Sequence, residues 1–227
     1  MIKVTNLSKS YGKNIGLSNF SYDFEQGYIY GLIGPNGAGK TTLIKLITEF
    51  LKKDKGEIVK NFDRDTMLNN ISYFPDFEVF ITGSVKTKID FFTLTYADTD
   101  FELLKRTINM FEINIKDKVS DLSTGQKKAF RFALTIARKV KAYILDEPFA
   151  NIDIDTRSKF IKLIFENIDI ENSVVIISSH ELHDMDSLLD EVLLIKNSEL
   201  ITSANADEIR QSSSLSLSEW YLKNINT

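Results

Sequence analysis

The sequence predicts an α/β fold with a mostly parallel central sheet covered by helices. Continuous β-branched runs such as residues 173–178 alternate with amphipathic helical patterns, which is typical of βαβ units whose sheet is covered on both faces. A glycine-rich loop also joins the apolar run Tyr28–Ile33 to a helical pattern that follows Thr42. A strand, such a loop and a helix in this order are the setting of a phosphate-binding site.

Hydrophobic periodicity places the other elements in order along the chain. We predict strands over residues 2–7, 20–24, 28–33, 55–59, 71–75, 142–145 and 173–178, and helices over residues 124–139 and 155–168. From Ser84 to about Lys118, apolar residues recur every three or four positions, which indicates a helical lobe. The chain ends in a serine-rich link and a weakly amphipathic segment around Trp220, for which no role is predicted.

Composition narrows the possible functions. The chain has 227 residues, enough for one large domain or two modest lobes that share a site. Acidic residues number 32 against 28 basic ones, which argues mildly against a protein that coats nucleic acid. The lack of cysteine excludes disulfides and zinc–thiolate sites, and it fits a cytosolic protein. We expect neither a signal peptide nor a membrane-spanning helix, since no apolar run reaches 18 residues.

The glycine-rich segment over residues 34–42 satisfies the pattern G-x-x-x-x-G-K-[ST]. Its glycines let the backbone curl so that successive N–H groups point at phosphate oxygens. Lys40 would reach the β- and γ-phosphates, and Thr41 would offer its hydroxyl to Mg²⁺. An ordinary turn is the alternative, but the strand before the loop and the helix after it favour a nucleotide site. The predicted nucleotide-binding residues here are Gly34, Asn36, Gly37, Ala38, Gly39, Lys40, Thr41 and Thr42.

Two further motifs are ambiguous on their own. Asp146-Glu147 ends a buried strand, where the pair either caps a helix or takes part in hydrolysis. In the second case Asp146 holds the hydration shell of Mg²⁺ and Glu147 polarises the attacking water, and the phosphate loop upstream favours it. Ser123 and Gln126 form a capping-box pattern around Gly125 at a helix start. Such a start can also receive a phosphate, but helix geometry does not say from which molecule.

Taken in order, these motifs resemble the nucleotide-binding domain of ATP-binding cassette (ABC) proteins over nearly the whole chain. Leu122-Ser123-Thr124-Gly125-Gln126 is similar to the family's L-S-G-G-Q motif. The resemblance implies that Tyr11 stacks on adenine, that Asp153 is the D-loop aspartate, and that His180 is the switch histidine that contacts the γ-phosphate. Taken alone, Tyr11 could be a surface turn residue and His180 a helix cap.

The same resemblance implies the architecture and the assembly. Residues 1–227 would form a single P-loop NTPase domain. It would have a RecA-like core with an N-terminal antiparallel β subdomain over about residues 1–75 and 142–205, an inserted helical subdomain over about 76–140, and a tail over about 203–227. Two domains would meet head to tail, so that Ser123, Gly125 and Gln126 of one chain cap the ATP of the other. Lys40, Glu147 and His180 would be catalytic, with ATP and Mg²⁺ as cofactors.

Two positions depart from the family pattern. Thr124 stands where the family has a second glycine, a change we expect to be tolerated because Gly125 remains free for close approach. Asp76 stands where the family has a glutamine, whose carbonyl can coordinate Mg²⁺ or its water. We therefore predict Thr41, Asp76 and Asp146 as metal-binding residues. An acidic residue in this slot resembles the ATPase subunits of some bacterial exporters of peptides and antibiotics.

The sequence thus predicts an ATPase subunit that powers a separate membrane-spanning permease, an exporter of peptides, antibiotics or related compounds. It would be cytoplasmic, on the inner face of the cell membrane, beside a second copy or a paralogue, with no nucleic-acid partner. The expected docking surface is Phe77, Phe80, Phe91, Phe92 and Tyr96, although each ring could equally pack inside the helical lobe. The alternative is a soluble ABC-type ATP switch acting on nucleic acid or the ribosome. A single phosphate loop and the lack of sustained heptads between Lys40 and Asp146 argue against it.

Overall fold

The computed structural model describes residues 1–62, 67–76, 82–180, 185–212 and 215–225. The strands are β1 (Ile2–Tyr11), β2 (Asn14–Phe24), β3 (Tyr28–Ile33), β4 (Lys55–Lys60), β5 (Ile71–Phe74), β6 (Ala142–Asp146), β7 (Val174–Ser179), β8 (Glu191–Lys196) and β9 (Glu199–Asn205). The helices are α1 (Lys40–Ile47), α2 (Met67–Asn70), α3 (Val85–Thr95), α4 (Phe101–Met110), α5 (Thr124–Ile136), α6 (Ile154–Asn167), α7 (Ala206–Ser212) and α8 (Leu217–Ile225). The α/β class predicted from the sequence is therefore confirmed.

The central sheet brings three functional segments to one edge. Its six strands lie in the order β5-β6-β7-β3-β8-β9, and all neighbours are parallel except β8 and β9. In register, Ile33 of β3 pairs with Ser179 of β7, and Asp146 of β6 pairs with Ser178. The loops that follow these strands therefore start side by side. This is the edge at which α/β sheets present ligands.

A second, three-stranded antiparallel sheet packs beside the central one. Its order is β2-β1-β4, and its inward residues include Ile2 and Phe20, both fully buried. They form one hydrophobic core with Leu43 and Ile44 of α1 and with Leu32 of β3. Helix α1 is thus fixed between two sheets, and its first residue, Lys40, is held at a defined position.

Helices α3, α4 and α5 lie between β5 and β6 in the chain and share a second core with the other face of the central sheet. Asp98, just before α4, forms a two-point ion pair with Arg138, just after α5. The guanidinium of Arg138 also lies 3.9 Å from the ring centroid of Tyr96. Because Arg138 is buried, these contacts fix the end of α5 relative to the start of α4.

The C-terminal part of the chain is more ordered than its pattern indicated. Strands β8 and β9, which the sequence analysis did not single out, form a hairpin whose turn residues Asn197 and Ser198 both have positive φ. Helix α8 packs on the core and buries Leu217 completely. Arg210 of α7 bonds Asp186, so the last helices are tied to the segment that begins at Met185. None of the helices in the described ranges is long and apolar enough to cross a bilayer.

Candidate functional site

The phosphate loop joins β3 to α1 in the conformation that its glycines allow. Gly39 has φ 110° and stands at the N-cap of α1, and no side chain caps that helix. At Gly34, a Cβ atom would lie 2.0 Å from the carbonyl oxygen of Ile195, so only glycine fits there. The first N–H groups of α1 are therefore left for a ligand, and the helix dipole favours an anion at that point.

Lys40 lies at the centre of this loop. Its ammonium donates to the carbonyl oxygens of Gly34 at 2.7 Å and Pro35 at 3.2 Å. It also lies 3.5 Å from Oε1 of Glu147. Burial lowers the pKa of Lys40, and the neighbouring Glu147 carboxylate offsets part of that shift. A buried cation that contacts two carbonyls and a carboxylate is well placed to receive phosphate oxygens.

One carboxylate oxygen of the buried residue Asp146 has no hydrogen-bond partner among the described residues. Its Oδ1 accepts from the hydroxyls of Thr41 at 3.2 Å and Ser178 at 2.6 Å. Its Oδ2 is buried and has no hydrogen-bond partner among the described residues. Desolvation raises the pKa of this carboxyl, and the two hydroxyls counteract the rise.

An orphaned buried carboxylate oxygen beside a threonine hydroxyl is a donor set that suits Mg²⁺ or its water shell. In the described part of the chain, no three acidic or histidine side chains cluster as a metal site by themselves. The hard oxygen ligands of Thr41 and Asp146 would therefore need phosphate oxygens and water to complete the coordination of Mg²⁺.

Glu147 is held by its backbone and by both of its carboxylate oxygens. Its φ is 48°, and its backbone N–H donates to Oγ of Ser178 at 2.9 Å. Oε2 lies 2.9 Å from Nδ1 of His180, and Oε1 faces Lys40. Glu147 is 8% exposed and lines the cavity, so its side chain is shielded but reachable. A fixed carboxylate beside a histidine has the geometry required of a general base.

Lys40, Thr41 and Glu147 line a cavity of about 310 Å³, whereas Asp146 and His180 are not among its lining residues. Tyr11 stands at its mouth, 48% exposed, with its hydroxyl 3.5 Å from Oγ1 of Thr42. A Cβ atom at Gly16 would lie 2.5 Å from the Tyr11 ring, so this glycine in β2 makes room for the ring. The lining residues are Tyr11, Gly16, Asn36, Gly37, Ala38, Gly39, Lys40, Thr41, Thr42, Asp76 and Glu147.

A second group of predicted residues does not line this cavity. The capping box of α5 is present, with Ser123 Oγ accepting from Gln126 N at 3.1 Å and Gln126 Oε1 accepting from Ser123 N at 3.2 Å. Apart from its chain neighbours and the backbone of its own helix, no atom of the described residues lies within 4 Å of a Cβ position at Gly125, so that face of the helix start is open to the rest of the described chain. Asp153 caps α6 by accepting from the N–H and hydroxyl of Thr156, and these bonds lower its pKa.

Asp76 joins the cavity from the segment that follows β5. It reaches solvent at the rim, yet burial raises the pKa of its carboxyl, and Lys128 opposes that rise. Lys128 of α5 is itself a residue that sequence reasoning missed. Its ammonium donates to the carbonyl oxygens of Glu147 at 2.9 Å and Ala150 at 2.5 Å, and burial lowers its pKa to about 8. Ser178, which binds both Asp146 and Glu147, was also missed.

The expected docking residues divide between described and undescribed parts of the chain. Phe77 and Phe80 lie outside the described residues. On α3, the Phe91 ring is 65% exposed, whereas Phe92 packs against Tyr96 with 4.7 Å between ring centroids. The exposed apolar face of α3 therefore comprises Phe91 and Leu94.

Comparison with known proteins places this chain in a family. Residues 17–150 match the family model described as "ABC transporter". The chain is 30% identical to the ABC transporter ATP-binding protein YtrB of Bacillus subtilis, over 93% of this chain and 74% of that protein. It is 29% identical to the lantibiotic transport ATP-binding protein SrtF of Streptococcus pyogenes, over 91% and 92% of the two chains. The fold superposes with a TM-score of 0.78 on the dimeric structure of MJ0796, a bacterial ABC transporter cassette, at 20% identity over 91% of this chain and 99% of that one.

Proposed function

Because this chain belongs to the ABC transporter family and is an ATPase of that family, we propose that it acts in pairs, head to tail, to power a separate membrane-spanning permease. The pair consists of two copies of this chain or of one copy and a paralogue. Each member binds one ATP with its phosphate loop and covers the ATP of the other with the start of α5.

The observation that carries this proposal is the separation of the site into two parts. Lys40, Thr41 and Glu147 line one cavity, but Ser123 and Gly125 stand elsewhere, at a capped helix start with an open face. Within one chain this helix start has no phosphate to contact. A second chain placed head to tail would bring it over the cavity, and the dimeric structure of the MJ0796 cassette supports pairing.

The residues of this chain would divide the chemistry as follows. Thr41, Asp146 and Asp76 hold Mg²⁺, which neutralises developing charge on the phosphates when it is bound. Lys40 and the loop N–H groups orient the β- and γ-phosphates. Glu147 accepts a proton from the attacking water, and His180 keeps the carboxylate in place and meets the γ-phosphate. Asp153 lies on the side that faces the second chain.

Export is the direction we propose, with peptides, antibiotics or related compounds as cargo. Asp76 in the glutamine slot and the similarity to a lantibiotic transport protein support it. The protein would lie in the cytoplasm against the inner face of the membrane. Phe91 and Leu94, which are exposed together on α3, are the residues we assign to permease docking.

The dimer can be tested in the Glu147→Gln variant with saturating ATP. We expect this variant to elute as a dimer, and the added change Ser123→Arg to abolish the dimer while monomer ATP binding stays intact. Ser84→Arg is the matched control, because Ser84 caps α3 by the same bond to the residue three positions on. A Ser123→Arg variant that still dimerises would contradict the head-to-tail arrangement.

Docking can be tested by co-purification from detergent-solubilised membranes. A double change of Phe91 and Leu94 to serine is expected to lower recovery of an integral membrane partner and to leave basal ATPase activity unchanged. Phe165→Ser is the control, since Phe165 is also half-exposed but lies on α6. Equal recovery with all three proteins would place the docking surface elsewhere.

A further inference from the structure

Lys128 is a buried cation near the start of α5. The residue is 7% exposed and lies on the first turns of α5, five positions after the capping serine Ser123. An apolar side chain of similar size is often as stable as a buried cation, because taking an ammonium out of water is costly. What the ammonium adds is a set of directional bonds.

Those bonds end on the turn that carries the proposed general base. Lys128 donates to the carbonyl oxygens of Glu147 and Ala150, the first and last residues of a four-residue stretch after β6. The same stretch is closed by a bond from Ala150 N to Glu147 O at 3.4 Å. Glu147 has positive φ, a conformation that a non-glycine residue keeps only when its surroundings hold it there.

Lys128 also relates this turn to two other parts of the site. Among the charged groups near Lys128, Asp76, in the segment after β5, raises the pKa of Lys128 most. Through α5, Lys128 is linked rigidly to Ser123, about 7.5 Å away along the helix axis at 1.5 Å per residue. One ammonium therefore connects the helix start, the Asp76 segment and the Glu147 turn.

We propose that Lys128 is a positioning residue for ATP hydrolysis, which fixes the Glu147 carboxylate by clamping the main chain of the Glu147–Ala150 turn onto α5. In the head-to-tail pair, the same clamp transmits the position of the helix start over one ATP to the base that acts on the other. The inference rests on the proposed role of Glu147 as general base. It adds to that role a residue that is not part of the cavity lining.

The test compares steady-state ATPase kinetics of the parent chain with Lys128→Met, which keeps the apolar stem and removes the charge. We expect kcat to fall at least about tenfold, since a misplacement of about 1 Å can cost about a hundredfold, and KM for ATP to change less than about threefold. Lys127→Met, the adjacent position on the same helix, should keep the parent kcat. If Lys128→Met fails to fold, Lys128→Leu, which also has no N–H donor, is measured instead. An unchanged kcat would overturn the inference.

Combining variants separates positioning from a merely structural role. If Lys128 acts through Glu147, adding Lys128→Met to Glu147→Gln should lower the residual turnover no further. A further drop by the full factor seen in the parent would show that Lys128 acts independently of Glu147 and would overturn the inference. Normal turnover by Glu147→Gln alone would instead remove the proposed base. Loss of turnover in Glu147→Gln with a normal Lys128→Met would remove only the clamp.

Discussion

His180 Nδ1 lies 2.9 Å from Oε2 of Glu147, and the other oxygen of that carboxylate faces the ammonium of Lys40 at 3.5 Å. The three side chains come from the ends of β6 and β7 and from the start of α1, so the parallel sheet alone brings them together. A carboxylate engaged on both oxygens has little rotational freedom. It is therefore already oriented before water and nucleotide arrive.

Glu147→Gln should abolish most turnover while ATP still binds. The amide keeps the shape of the side chain but cannot accept a proton, so we expect a loss of at least about 10²–10⁴-fold, typical of a positioned general base. Because ATP then persists, the nucleotide-bound dimer should accumulate. Phosphate release and gel filtration measure the two effects. Glu199→Gln, on the exposed start of β9, is the control, and near-parent hydrolysis by Glu147→Gln would contradict the assignment.

Lys40→Ala should weaken ATP binding itself. The ammonium is the buried cation at the centre of the loop, and its removal leaves phosphate oxygens without a charge-assisted donor. Titration of a fluorescent ATP analogue should show a higher Kd, whereas Lys52→Ala, an exposed lysine after α1, should match the parent. Equal affinity in Lys40→Ala and the parent would mean that this lysine serves the loop carbonyls only.

The phosphate loop and the acidic strand end were predictable because their chemistry is local in sequence. Gly34, Gly39 and Lys40 lie within seven residues, and the strand and helix around them have clear periodicity. Lys128 and Ser178 were not predictable in this way. Each acts on residues 19 to 32 positions away in the chain, and a lysine in a helix or a serine in a strand carries no signal of its own partner.

The C-terminal hairpin could have been predicted from the sequence, whereas the packing of α8 could not. The turn Asn197-Ser198 is polar and short, and both residues take positive φ, which asparagine tolerates better than serine. The two-residue loop between apolar runs was a readable hairpin signal. The cover of the core by α8 was not readable, because its weak amphipathicity becomes a buried face only when β8 and the rest of the core are present.

Tyr11→Ala should weaken ATP binding modestly. A base stacked on one aromatic ring gains on the order of 1–3 kcal/mol in nucleic-acid complexes, and we expect a similar loss here. Tyr28→Ala is the control, since Tyr28 is also an exposed ring but starts β3 at the far end of the strand from the phosphate loop. If ATP and an analogue without the base lose affinity equally in Tyr11→Ala, the ring does not contact the base.

Ser178→Ala should lower both stability and Mg²⁺ affinity. The change leaves the buried N–H of Glu147 unpaired, which costs about 1–3 kcal/mol, and removes one donor from Asp146. Because that donor lowers the Asp146 pKa, its loss should raise the pKa further. As the pH falls, the affinity for Mg²⁺ should therefore begin to drop at a higher pH than in the parent. Ser72→Ala removes a buried serine bond to Thr135 O outside the site and should lower stability alone. Equal Mg²⁺ titrations of the two variants would contradict the role of Ser178.

Asp76 is the clearest departure from the family pattern. Its substitutions should separate the effect of its negative charge from the effect of its oxygen as a ligand of Mg²⁺. Asp76→Gln keeps an oxygen acceptor and should preserve basal ATPase activity within a few-fold. Asp76→Ala removes the acceptor and should lower the apparent affinity for Mg²⁺. Asp76 lies in the cavity lining, and its charge acts on Lys128. Lys128 bonds the main-chain carbonyls of Glu147 and Ala150, which neither substitution changes, so we expect the Glu147 turn to stay in place in both variants.

Titration of Mg²⁺ at fixed ATP measures the effect of Asp76 directly. Asp23→Ala, which removes an exposed carboxylate paired with Lys3 on the antiparallel sheet, is the matched control for loss of one negative charge. A curve for Asp76→Ala that lies between those of the parent and Ser178→Ala would fit a ligand that acts through water. Identical curves for the parent and Asp76→Ala would mean that the carboxylate does not contact the ion, and we would then treat Asp76 as part of a docking element only.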